Sequence, residues 1–158
     1  MSAYHATVRW RRGTDAFAGY KYSRGHEWAF DEGIVVPASA SPAVVRAPYS
    51  VAAAVDPEEA FSAALASCHM LFFLAYAAKA GFIVDSYEDP VEGTLAKNAE
   101  GKEVMTRVVL RPRVMFSERA PTDAEFSALH HRAHEDCYIA NSVRSEVVLE
   151  PTAGVSPS

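Results

Sequence analysis

Residues 56–81 read DPEEAFSAALASCHMLFFLAYAAKAG. Asp56 is a good N-cap, Pro57 suits the first helical position, and Glu59 stands three residues after Asp56, as a reciprocal capping box requires. A helix is therefore predicted from this point to about Lys79, with Gly81 as its C-terminal stop. No charge falls between Ala60 and Ala78, a length near the lower limit for spanning a bilayer. The run is Ala-rich, however, and carries Ser62, Ser67, Cys68 and His69 in its middle, where a lipid-facing helix would carry Leu, Ile and Val. These residues predict a helix buried on all sides by protein and no membrane span. One small sheet cannot cover so apolar a helix, and the simplest cover for its other face is a second copy of the chain.

Working outward, Tyr4, Ala6, Val8 and Trp10 alternate with polar residues in the period of a half-buried strand. Tyr20 to Ser23, Glu27 to Phe30 and Ile34 to Val36, separated by Gly25 and Gly33, read as short antiparallel strands. Pro37 to Val55 fits neither strand nor helix, and a loop of that length is usually functional or disordered. After the long helix, Val104, Thr106, Val108, Leu110, Val114 and Phe116 face a core while Arg107, Arg111 and Arg113 form a solvated basic stripe, with Pro112 at an edge or bulge. A second helix starts at Thr122, with Glu125 as its reciprocal cap, and turns Phe126, Leu129 and Ala133 inward. Val143 to Leu149 closes the domain as a strand. Together these elements predict an α+β fold in which antiparallel sheets pack around a long central helix. One domain is expected over residues 1–150, followed by a flexible tail over residues 151–158.

The chain has 158 residues, 15 basic and 20 acidic, with 49% apolar residues and two cysteines. A chain of this size buries enough surface to need no disulfide or metal staple. A formal net charge of -5 argues against nucleic acid as a partner, since phosphates call for a basic face. The stretch from Met1 to His5 has no apolar segment of a secretory signal, so a cytoplasmic location is expected. Thiols are kept reduced there, and a cysteine pair is more often catalytic, redox-sensing or metal-binding than structural.

Those cysteines are Cys68, inside the long helix, and Cys137, after the second helix in the run His134, Glu135, Asp136, Cys137, Tyr138. An apolar helix interior disfavours a thiolate, so a reactive Cys68 needs a cation. Its own helix offers none between Glu59 and Lys79. Arg46, alone in the Pro/Ala loop, and Arg24, in a turn between short strands, are the candidates. An arginine in an apolar pocket needs a counter-charge, for which Glu58 or Glu59 is available. Glu58 lies ten residues before Cys68, roughly 15 Å along a straight helix. Either the arginine bridges that gap at full stretch or the carboxylate comes from a symmetry-related helix across a dimer axis.

The Asp-Pro-Glu-Glu start, the small-residue helix reaching Ala66, Ser67 and Cys68, and the His134-x-x-Cys137 run resemble the OsmC/Ohr family, the osmotically inducible and organic hydroperoxide resistance proteins. The resemblance extends over about residues 4 to 150. It implies an intertwined α+β homodimer with thiol-dependent peroxidase activity, no cofactor, an organic hydroperoxide (with hydrogen peroxide as a further substrate) and an external dithiol as reductant. By the same resemblance Cys68 is the peroxidatic residue, Cys137 the resolving one and Glu58 the tuning glutamate. Arg46 lies in the loop where OsmC-like members keep their arginine, and Arg24 at the early position used by Ohr-like members. Family members often carry Pro after the resolving cysteine, where this chain has Tyr138.

Two other readings compete. His130, His134 and Cys137, at i, i+4 and i+7, would share one helix face and suit zinc, but no fourth ligand is evident and no metal is expected. A non-enzymatic redox sensor or apolar-ligand-binding dimer would use Phe72, Phe73 and Tyr76 as a pocket lining. His69 points about 100° away from Cys68 on a helix and is read as a buried, hydrogen-bonded core histidine.

Overall fold

The alternating N-terminal residues form β1 (Thr7–Arg9), β2 (His26–Ala29) and β3 (Val35–Ala38), an antiparallel sheet in that order. The computed structural model describes residues 1–156. Tyr20 to Ser23, expected as a strand, is instead a 3-10 turn over Ala18–Tyr20 followed by irregular chain. The reason is local. Gly19 and Tyr20 both take positive φ, Asp15 accepts from the Ser23 amide at 2.7 Å, and the Arg24 guanidinium donates to the carbonyls of Tyr20 and Tyr22. Side chains thus satisfy the backbone groups that a strand would pair.

The long segment before the main helix is closed at its neck. The Ser39 amide donates to the Val55 carbonyl at 3.0 Å and the Val55 amide to Pro37 at 3.1 Å. The buried Ser39 hydroxyl accepts from the Val51 amide at 2.9 Å. α1 (Pro57–Lys79) then begins as the sequence requires. The Asp56 amide donates to the Glu59 carboxylate at 3.1 Å, and the Glu59 amide to that of Asp56 at 2.8 Å. At its other end Gly81, at φ 82°, closes a Schellman motif. The Gly81 amide donates to Ala78 at 3.1 Å and the Phe82 amide to Ala77 at 3.0 Å. The chain groups into two compact units, Met1–Ala60 and Phe61–Ser158.

The second unit adds β4 (Val84–Glu88), β5 (Glu92–Lys97), β6 (Glu103–Leu110), β7 (Arg113–Phe116), α2 (Asp123–Asp136), β8 (Glu146–Leu149) and β9 (Thr152–Val155). They make two three-stranded sheets, β4-β7-β9 and β5-β6-β8. The fold is α+β as read. The sheets, however, are mixed and not wholly antiparallel: β6 pairs with β8 and β7 with β9 in parallel. Residues 151–158, expected as a flexible tail, contain β9, because β7 offers it a free ladder edge. The Thr152 amide donates to Pro112 at 2.8 Å and that of Ser156 to Phe116 at 2.9 Å. Positions 157 and 158 lie outside the described residues. The arginines read as a solvated stripe are in part ion-paired, Arg107 with Glu146 at 3.3 Å and Arg111 with Glu92 and Glu150 at 2.9 Å each.

α1 turns Ser62, Leu65, Ala66, His69, Phe73 and Ala77 inward, the i, i+3, i+4, i+7 spacing of one helical stripe. Leu65 and Ala66 pack with Val108, Leu110 and Cys137, and Phe73 and Ala77 with Val114, Phe116, Phe126 and Leu129. α1 is long and apolar enough to cross a membrane, yet this stripe is covered by the unit's own sheets and α2. The opposite stripe, Ala64, Ser67, Leu71 and Ala75, is not covered, and Leu71 is 62% exposed.

Candidate functional site

α1 and α2 each bring one cysteine to the same place. Cys68, half-buried on α1, packs at the margin of the cluster that contains Cys137, which has no exposed surface. Both thiols are free, and Cys68 lies near enough to Cys137 to act on its ionisation. Residues 69 positions apart in the chain thus share one cluster.

Cys137 is the C-cap of α2. Its position is held by Asn141, whose side-chain amide donates to the carbonyls of Cys137 at 3.0 Å and Glu135 at 2.7 Å. The Ala140 amide donates to the Cys137 sulfur at 3.4 Å. Burial, and after it the hydrogen bond with Cys68, pushes the Cys137 thiol up from its ordinary range. Cys137 therefore stays protonated in the reduced protein.

Cys68 instead opens on a cavity of 470 Å³ lined by Ala64, Leu71, Phe72, Tyr138 and Ile139. Phe72 and Tyr138 meet edge to face at 5.0 Å. Of the two sulfurs, Cys68 is the one a molecule entering that cavity meets. Tyr138 and Ile139, which follow Cys137, are part of its wall.

The remaining candidates occupy the first unit. Arg24 is half-buried, its guanidinium lies 3.9 Å from the centre of the Tyr22 ring, and it borders a cavity of 490 Å³ with Trp10, Phe17 and Tyr22. Arg46 is exposed in the closed loop. Glu58 is half-buried in the first turn of α1, and Glu59 is committed to the capping box.

His69 is buried and hydrogen-bonded, as read, to a partner the sequence did not disclose. Its Nε2 lies 2.9 Å from Nδ1 of His130. This pairing splits the His130, His134 and Cys137 set, and among the described residues no group of three or more His, Cys, Asp or Glu is placed to hold a metal. His130 shares the inward face of α2 with Phe126 and Ala133, a periodicity that marks it as buried.

A family model described as OsmC-like protein matches residues 50–152. Among solved structures, an OsmC-like protein of unknown function from Vibrio cholerae O1 biovar eltor is 54% identical, with 96% of this chain and 100% of that one covered at a TM-score of 0.94. An organic hydroperoxide resistance protein from Elizabethkingia anophelis is 15% identical, covering 99% of this chain and 98% of that one, with a TM-score of 0.70. The organic hydroperoxide resistance protein OhrB of Bacillus subtilis is 17% identical, covering 97% and 98%, with a TM-score of 0.64. The last two share the fold. A comparison with curated proteins gives no match.

Proposed function

The chain belongs to the OsmC-like protein family, and on that premise we propose that it is a thiol-dependent peroxidase that reduces organic hydroperoxides through a Cys68–Cys137 disulfide cycle. One observation carries this reading: a sulfur facing an apolar cavity packs against the same small cluster that holds a second, buried sulfur. In the first step the Cys68 thiolate attacks one peroxide oxygen. An S–O bond forms, the O–O bond breaks, and the alkoxide leaves as alcohol after taking a proton. In the second step the Cys137 sulfur attacks the sulfenic acid, an S–S bond forms, and water leaves with the Cys137 proton. An external dithiol then returns both sulfurs to thiols by exchange.

The thiolate calls for a cation, and α1 supplies none between Glu59 and Lys79. In this reading the cation is Arg24 or Arg46, with Glu58 as its counter-charge; Arg24 is half-buried and Arg46 exposed. The small uncovered stripe of α1 supports a homodimer.

Turnover tests this reading. With tert-butyl hydroperoxide and excess dithiothreitol, the protein should consume many equivalents of peroxide per chain. Cys68→Ser should consume none. Cys137→Ser should complete one oxidation and then depend on whatever monothiol is supplied. A wild-type chain that oxidises once and stops with dithiol in excess is a sensor, and the peroxidase reading fails.

A further inference from the structure

His69 and His130 are 1% and 2% exposed. Their rings lie 6° from parallel with centroids 5.2 Å apart, joined by the single 2.9 Å hydrogen bond. The Phe73 ring stacks 4.2 Å from that of His130, and the Phe126 ring meets it edge-on at 4.6 Å. The other ring nitrogens, Nδ1 of His69 and Nε2 of His130, have no hydrogen-bond partner. Packing alone would favour two apolar side chains here, since a half-satisfied buried polar pair is costly. What the pair adds is direction. A hydrogen bond between two rigid rings tolerates one placement of α2 on α1, whereas an apolar contact tolerates sliding.

That placement bears on the sulfurs. His69 follows Cys68 on α1, and His130 stands on α2, the helix that Cys137 caps. A second polar tie, from the Tyr76 hydroxyl to the Asp136 carboxylate, joins the same two helices next to the cap. Misplacing reacting atoms by about 1 Å can cost about a hundred-fold in rate. We propose that the His69–His130 hydrogen bond positions Cys137 against Cys68 and so governs the disulfide-forming step. This rests on the two-cysteine cycle proposed above. Neither histidine is a catalytic residue: each acts through the helix that carries it.

Rapid mixing of the reduced protein with tert-butyl hydroperoxide separates the two steps, with sulfenic acid trapped by dimedone and disulfide read by mass spectrometry. In His130→Leu, sulfenic acid should form within about two-fold of the wild-type rate while disulfide formation slows at least about ten-fold. His130→Asn keeps a hydrogen-bonding atom where Nδ1 stood, and His69→Gln one where Nε2 stood. Both should recover disulfide formation to within about three-fold of wild type. The same gap and the same rescue are expected with diamide as oxidant, which needs no peroxidase activity. Disulfide formation in His130→Leu within about three-fold of wild type, or a deficit that the amide variants share, overturns the positioning role. Failure of the wild type with hydroperoxide, alongside a normal diamide result, removes the peroxidase reading and leaves the positioning role standing.

Discussion

Cys137 carries its thiol into hydrocarbon and Cys68 carries its own to a cavity wall, so two identical side chains stand in different surroundings. In the proposed cycle access sets the order of events: the half-buried Cys68 meets the peroxide, and the buried Cys137 then attacks the sulfenic acid formed there. Ionisation alone explains little of the rate. Lowering a thiol from about 8.5 to below 7 raises the thiolate fraction by roughly thirty-fold at most, so in the proposed cycle the guanidinium also orients the peroxide and stabilises charge on the departing oxygen. Whichever arginine is the partner, Arg24→Ala or Arg46→Ala should therefore lower kcat/KM by more than about thirty-fold, and a loss of about thirty-fold or less for both would defeat that role. The buried histidines give a second prediction. Burial, and after it the facing His134, lowers His69 to about 4. Burial, and after it His69, lowers His130 to about 3. Both stay neutral in the fold while the unfolded chain takes up protons below about 6.5. Their contribution is whole above that value and is lost as pH falls toward 4 and then 3. For His69 alone the loss is about 3 kcal/mol. Urea midpoints measured from pH 7 to pH 4 should fall, and His69→Gln should flatten the curve. The sequence shows the two cysteines and a buried His69, but not the identity of its partner, because a contact across 61 positions leaves no periodic trace.

Elements with marked ends are the ones the sequence displays. α1 and α2 begin at reciprocal caps that the structure reproduces, Asp56 with Glu59 and Thr122 with Glu125. β4 and β5 are not legible, since Val84–Glu88 and Glu92–Lys97 lack alternation and are built largely of charged and small residues. The glycine in β5 has a packing reason. A Cβ at Gly93 would come within 2.3 Å of the Ser62 Oγ on α1 and 2.5 Å of the Met105 Cε on β6. Gly93→Ala should accordingly cost about 1–3 kcal/mol, read as a lower urea midpoint with an unchanged slope. β9 is hidden for a different reason: Thr152, Ala153, Gly154 and Val155 carry little apolar signal. Its strand character comes from β7 beside it.

Across the whole chain, the segments over 107–116 and 146–155 run alongside each other in parallel, always 39 positions apart, from Arg107 opposite Glu146 to Phe116 opposite Val155. Both pass from one sheet to the other at a proline, Pro112 and Pro151. Alternation reveals that such strands exist but carries no information on their direction, which is why the sequence suggests antiparallel sheets. The uncovered stripe on α1 is legible from hydropathy, and it sets a prediction at this scale. Light scattering should return twice the 17.2 kDa of one chain, and Leu71→Lys, which places a charge on that stripe, should shift the mass toward the monomer. Most directly, the reduced protein should be given one equivalent of tert-butyl hydroperoxide and its peptides mapped by mass spectrometry. The two-cysteine cycle predicts loss of both free thiols and a single peptide pair joining Cys68 to Cys137 within one chain. Two thiols still free, or Cys68 oxidised with Cys137 untouched, would contradict it.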